Sequence, residues 1–241
     1  MTIQKNQIIG ELVAKDYRTA SVFKKYGIDF CCQGNRTIDD ACEKKNIDPK
    51  SVVQDLDTAI QAPGTNTTDY ESWPLDLLAD YIEKKHHRYV VEKTAEIKPY
   101  LDKICRVHGE RHPELLEIRE HFYVTAGELA QHMKKEELIL FPFVRQMADA
   151  KHEGSKIAAP HFGTVQNPIA MMMHEHTAEG DRFRKIEELS NDYTPPQDAC
   201  NTYRVTFALL KEFEADLHLH IHLENNILFP KAVELEKELK A

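Results

Sequence analysis

Positive charge is in deficit in this chain of 241 residues: Lys and Arg number 31 against 40 Asp and Glu, a formal charge of −9. That balance does not suit binding to a phosphate backbone or an anionic membrane surface, so no nucleic-acid or membrane partner is expected. No apolar run approaches the ~18 residues of a membrane span. The opening MTIQKNQIIG lacks the charged-then-apolar layout of a secretion signal. Cysteine is sparse and odd in number, five with Cys31 and Cys32 adjacent, which argues against a disulfide framework and for a reducing cytoplasm. Glycine is scarce as well, at nine. With 41% hydrophobic and 29% charged residues, this is the composition of a folded, soluble, helical protein rather than a disordered or fibrous one. The length allows one large domain or two smaller ones. What stands out is histidine, at thirteen.

Residues 1–60 read as a small unit of short helices. Pro49 suits the first position of a helix over Lys50 to Ile60 with Asp48 as its cap, and the Gly- and Asn-rich stretch from Tyr26 to Asn35 reads as a loop. The polar, breaker-rich run from Gln61 to Thr68 is the best linker, so the boundaries fall at 1–60, 61–71 and 72–241. Beyond Trp73 the pattern is four long helices. Breaks are expected at His108–Pro113, across the looser connection Ala148–Gln166, and at Thr194-Pro195-Pro196, with Pro142 closing or kinking the second helix and the fourth ending near Pro230. This predicts an all-α protein, an up-and-down four-helix bundle preceded by a small helical domain.

An internal repeat sets this bundle apart. His132-Met-Lys-Lys-Glu136 with Ile139-Leu-Phe-Pro142 recurs as His220-Ile-His-Leu-Glu224 with Ile227-Leu-Phe-Pro230, a step of 88 residues at every matching pair. The same step carries His87 to Glu175, next to His176. Residues four apart share a helix face, so each His-x-x-x-Glu presents two donors to one point. Their direction follows from the apolar stripes: Leu129, His132, Glu136, Ile139; Phe213, Leu217, His220, Glu224, Ile227; and Ile169, Met172, His176, Glu179, Phe183, Ile186. These are inward seams with polar residues at their centres.

Burying three histidines and two carboxylates without partners would cost several kcal/mol each, so something must compensate them. A metal does so, and imidazole with carboxylate on facing helices is how bundle cores hold iron or manganese pairs. A metal-free hydrogen-bonded network is the alternative. Hinge arithmetic brings His87 and His132 to similar heights, but leaves His176 and His220 ~12 Å apart along the bundle at the usual helical rise. Either the third helix runs further or the Pro-Pro connection climbs. Periodicity does not choose between His86 and His87. His174, His218 and His222 flank the seam, His108 and His112 sit at the far hinge, and Glu179 reads as an outer carboxylate.

The sequence resembles the repair-of-iron-centres family of ScdA/YtfE type, related to hemerythrins. The likeness is carried by Ala20 to Gly34 with its double cysteine, by His132 to Pro142, by His174-Glu175-His176 with Gly180, and by His220 to Pro230. It implies a hemerythrin-like bundle with two iron ions, oxo- or hydroxo-bridged, ligated by His87, His132, His176 and His220 with Glu136 and Glu224 bridging. It also favours His87 over His86, while His108 matches a recurrent family histidine. The implied function is repair of iron–sulfur clusters damaged by nitrosative or oxidative stress, through iron donation or nitric oxide handling. Its partners would be damaged iron–sulfur proteins or a cluster scaffold. An oxygen- or nitric-oxide-binding module and a nitric oxide reductase are the alternatives, since six protein ligands and a bridge leave positions open if each iron prefers about six ligands. Cys31 and Cys32 could serve redox chemistry, metal transfer or client contact, or simply pack under a loop. The leading domain could also mediate a homodimer.

Overall fold

The computed structural model describes residues 3–62 and 68–240, and among them there is no β-strand. Four short helices lead the chain: α1 (Ile9–Lys15), α2 (Arg18–Lys25), α3 (Ile38–Lys45) and α4 (Pro49–Gln61). As the sequence predicts, Pro49 opens α4 and Asp48 caps it, its carboxylate accepting from Lys50 N at 3.0 Å. Residues 26–35 form the expected loop. Most of the anticipated linker, 63–67, lies outside the described residues.

Four rods follow. The first is α5 (Leu75–Tyr81) and α6 (Arg88–His108), joined by a π turn, Ile82–His87. The second is α7 (Glu114–Lys135) and α8 (Phe141–Glu153) with a π turn at Glu136–Leu140; the third is α9 (Gln166–Leu189). The fourth is α10 (Asn201–Leu223) and α11 (Phe229–Lys240) with a π turn at Glu224–Leu228. α6 packs against both α7 and α10, α7 against α9, and a lighter contact of α9 with α10 closes the up-and-down bundle.

Pro142 and Pro230 were expected to end or kink their helices, but both rods run on. A proline lacks the N–H of the i−4 ladder, and its ring crowds the carbonyl four residues back. A widened turn relieves both: Phe141 N donates to Glu136 O and Phe229 N to Glu224 O, five residues apart. Each π turn adds one residue to the local register. Ile139, placed on the inward seam by the sequence, is 38% exposed, while Leu140 and Phe141 take the core positions; its counterpart Ile227 in the other copy is buried. The third rod ends at Leu189, close to the end near Asn191 expected from the sequence, and does not run further, so the 190–200 connection takes up the height difference between His176 and His220. It turns through three successive left-handed residues, Asn191, Asp192 and Tyr193, and buries the Tyr193 ring.

Two apolar blocks fill the bundle. One contains Leu101, Phe122, Phe183 and Phe213 and is continuous with the interior of α1 to α4 through Phe23, Phe30 and Leu56. The other holds Leu78, Phe141, Met172 and Phe229 at the opposite end. The histidine and glutamate level lies between them.

Candidate metal centre

The three π turns and the helices α7, α9 and α10 bring six polar side chains to one level. His87 closes the first π turn, Glu136 and Glu224 open the other two, and His132, His176 and His220 come from α7, α9 and α10. All six are at most 3% exposed. Their donor atoms form two groups, each within 4.8 Å: His87, Glu136, His220 and Glu224, and His132, Glu136, His176 and Glu224. Both carboxylates belong to both groups. Glu136 Oε2 lies 3.3 Å from His87 Nε2 and from His132 Nε2. Glu224 reaches His220 Nε2 at 3.0 Å with Oε1 and His176 Nε2 at 3.2 Å with Oε2.

The outer ring nitrogens fix how the inner ones face. His87 Nδ1 donates to Glu137 Oε1 at 2.7 Å, His132 Nδ1 to Glu175 Oε2 at 2.7 Å, and His176 Nδ1 to Asn225 Oδ1 at 2.9 Å. With the proton on Nδ1, each Nε2 turns a lone pair inward, the arrangement by which metal-binding imidazoles are oriented. Among the described residues His87 Nε2, both oxygens of Glu136 and Glu224 Oε2 are buried with no hydrogen-bond partner. Buried lone pairs converging without protons are costly on their own and are satisfied by cations, so the donor set fits a pair of metal ions. Imidazole and carboxylate without thiolate suit a transition metal such as iron or manganese.

The electrostatics agree. Burial opposes charge on His132, but the carboxylates of Glu136 and Glu224 and the bond to Glu175 override it and push the imidazole up to about 10. His87 is raised in the same way against its burial, by Glu136 and Glu224. Burial wins at His220, which is lowered despite Glu224. Burial and the facing Glu224 push Glu136 up, yet His132 and His87 hold it below the ordinary carboxylate range. Glu224, where burial is countered by His220 and His176, is held well below it. The site attracts positive charge. A cleft of about 330 Å³ lined by Glu83, Lys84, Arg88, His87 and Glu137 comes in from the surface as far as His87.

Comparison with known proteins places this geometry. A profile described as hemerythrin HHE cation binding domain matches residues 79–232, and ScdA_N, a domain of unknown function, matches residues 5–60. The iron-sulfur cluster repair protein YtfE of Yersinia pestis (strain Pestoides F) is 34% identical over 229 residues, covering 95% of this chain and 97% of its own. Its counterpart in Yersinia pseudotuberculosis serotype IB (strain PB1/+) is 33% identical over the same span. The chain belongs to this hemerythrin-like ScdA/YtfE family.

Within that family frame the remaining sequence candidates separate. His86 is fully buried beside His87, but its Nδ1 bonds both oxygens of Asp216 at 3.0 and 3.1 Å and its ring stacks on His220; it joins neither donor group. Glu179 is buried and paired with Arg182, and burial raises its pKa, so it stands outside the groups as an ion-paired carboxylate. His108 is at the far end of the bundle, its Nε2 3.2 Å from Cys200 Sγ. Cys31 and Cys32 are free thiols 3.7 Å apart. Their loop is closed by Asp29, whose Oδ1 accepts from Cys31 N at 3.1 Å and Cys32 N at 2.9 Å. It lies directly on the centre: Cys32 Sγ donates to His176 O at 3.3 Å, and Cys31 O accepts from Asn225 Nδ2 at 3.1 Å. Sequence reasoning missed the outer partners Glu137 and Asn225. Both follow the glutamate of a repeat copy, a position in the repeat that could have marked them.

Proposed function

We propose that this chain holds two iron ions through His87, His132, His176, His220, Glu136 and Glu224 and works in the repair of iron–sulfur clusters damaged by nitrosative or oxidative stress. The observation that carries this reading is the pair of buried donor groups sharing Glu136 and Glu224, in a chain related along nearly its whole length to proteins named for that repair. Five cysteines without a disulfide among the described residues suit a reducing compartment, and we take the cytoplasm as the setting. Among the described residues, no helix is long and apolar enough to cross a membrane.

Each half of the bundle would give two donors to each ion, with the glutamates shared between the ions. Bound there, iron would supply exchangeable metal and coordination positions open to a small ligand such as nitric oxide or dioxygen. Glu137, Glu175 and Asn225 keep the Nδ1 protons in place, so three imidazoles present their free nitrogen without reorganisation. Phe141, stacked on His87, and Phe229, stacked on His176, keep water from the donors on one side. The cleft at His87 and Glu137 is the path by which a small species enters. The leading unit 1–60 brings its two thiols to the opposite side of the same centre.

Iron-loaded and iron-free protein, added to an aconitase inactivated with nitric oxide, test the reading. The loaded protein is expected to restore activity and to lose iron as it does so. A chain that binds two irons and a gas ligand reversibly but restores nothing would instead be a hemerythrin-like binding module.

A further inference from the structure

The Cys31–Cys32 loop holds His176 directly and through Asn225. Cys32 Sγ donates to the backbone carbonyl of His176, and Asn225 spans the gap between the His176 ring and Cys31 O, accepting at Oδ1 and donating at Nδ2. The next residue repeats the grip, with Asn226 Nδ2 donating to Phe30 O at 3.1 Å. One π turn thus lays out three successive side chains: Glu224 in both donor groups, Asn225 between ligand and loop, and Asn226 on the loop itself.

The other copy of the repeat shows why position 225 carries an amide. There the corresponding residue is Glu137, which accepts from His87 Nδ1 and is 36% exposed, so water completes its hydrogen bonding. Asn225 is buried and stands between an N–H and a C=O. An amide alone offers one acceptor and one donor there. A carboxylate would satisfy His176 and face Cys31 O with no proton to give. The backbones also approach closely at this seam: a methyl group on Gly180 would lie 3.1 Å from Cys32 Sγ, and one on Gly10 would lie 2.3 Å from Asn226 Oδ1.

We propose that Asn225 is a positioning residue through which docking of the Cys31–Cys32 loop sets the orientation of His176, so that displacing the loop loosens the metal. This rests on the di-iron reading above. A thiol chemistry or client that draws the loop away removes the Cys32 bond to His176 O and the Cys31 carbonyl that orients the Asn225 amide, which couples engagement of the cysteines to release of iron. Coupling of this kind is reciprocal: if a docked loop tightens the centre, bound metal tightens the loop by the same factor.

The test uses the full chain with the exposed Cys200 replaced by serine, alone and with Asn225→Ala, Asn225→Asp or Gly180→Ala. Two rates are read without oxygen: modification of Cys32 by a small thiol reagent with and without iron(II), and loss of iron(II) to a ferrous chelator. In the parent, iron is expected to slow modification. Both Asn225 variants should lose most of that protection; Asn225→Ala should release iron about 10- to 100-fold faster, the usual effect of removing an outer partner, and Asn225→Asp, which keeps the bond to His176 but not to Cys31 O, should move the same way by less. Gly180→Ala moves in the same direction by less, with helix content intact because alanine favours the helix. It carries the question should an Asn225 variant fail to fold. Equal modification rates with and without iron in an iron-binding parent, or parental release rates in Asn225→Asp and Gly180→Ala, would overturn the coupling. A parent that takes up no iron(II) overturns the di-iron reading, and this one with it.

Discussion

His132 Nε2 and His176 Nε2 face each other at 3.0 Å across the bundle, each ring with its outer nitrogen already donating, to Glu175 and Asn225. Without metal a proton on the raised His132 joins the two rings, and an ion entering there displaces it and takes both nitrogens. Iron(II) should therefore stabilise the fold by about 2.7 kcal/mol at a free concentration of 100 Kd, read as a rise in melting temperature. Glu136→Leu and Glu224→Leu should abolish that rise, since each removes a donor from both groups. His86→Gln, His108→Ala and Glu179→Gln should keep it. Equal losses in all five variants would show that the donor groups are assigned wrongly.

Acid should weaken the seat of the leading segment. His222 is buried against Tyr17 and Phe30, and burial lowers its pKa from 6.5 to about 3. Above pH 6.5 the ring is neutral in both folded and unfolded chains and its packing counts in full. Below that, the unfolded chain takes up a proton that the folded one refuses, so stability falls by about 1.4 kcal/mol per pH unit from this group until pH nears 3. Urea melts of the metal-free protein between pH 7 and 4 should show the slope, and His222→Gln should reduce it, leaving the share of His218, which burial lowers to about 4.

Phe213 is fully buried, edge-on to Phe122 at 5.3 Å and stacked on Phe183 at 5.6 Å. Phe213→Ala should cost about 3–5 kcal/mol in denaturant melts. Leu138→Ala, at a site 75% exposed, should stay within about 0.5 kcal/mol.

Deleting Leu138 is another matter. It removes the extra residue of the π turn, so the ladder at 136–140 can close as an ordinary α-helix with Leu140 and Phe141 still facing the core. Pro142 then crowds an α-helical ladder, so the deletion should cost about 3 kcal/mol in denaturant melts.

The seams and the step of 88 residues were legible because a 3.6-residue period survives any tertiary context. Every member of the Ile169–Ile186 and Phe213–Ile227 stripes is buried. Pro142 and Pro230 read as stops or kinks, yet a π turn, invisible to periodicity, carries each inside a rod, and Pro99 rides within α6 without one. In the second rod the inward face moves from Ile139 to Leu140. Glu137, Glu175 and Asn225 escaped because their partners come from other rods, and no local pattern encodes which imidazole will meet them. The climb of the 190–200 connection depends on three left-handed residues that the sequence does not announce.

Each donor group takes two members from before the 154–165 connection and two from after it: His87 and Glu136 with His220 and Glu224, and His132 and Glu136 with His176 and Glu224. A protein cut within that stretch would yield two fragments, neither owning a complete pocket for any ion. Iron retention by the mixed pieces would then act as a reporter of their reassembly, making the bundle a natural fragment-complementation pair.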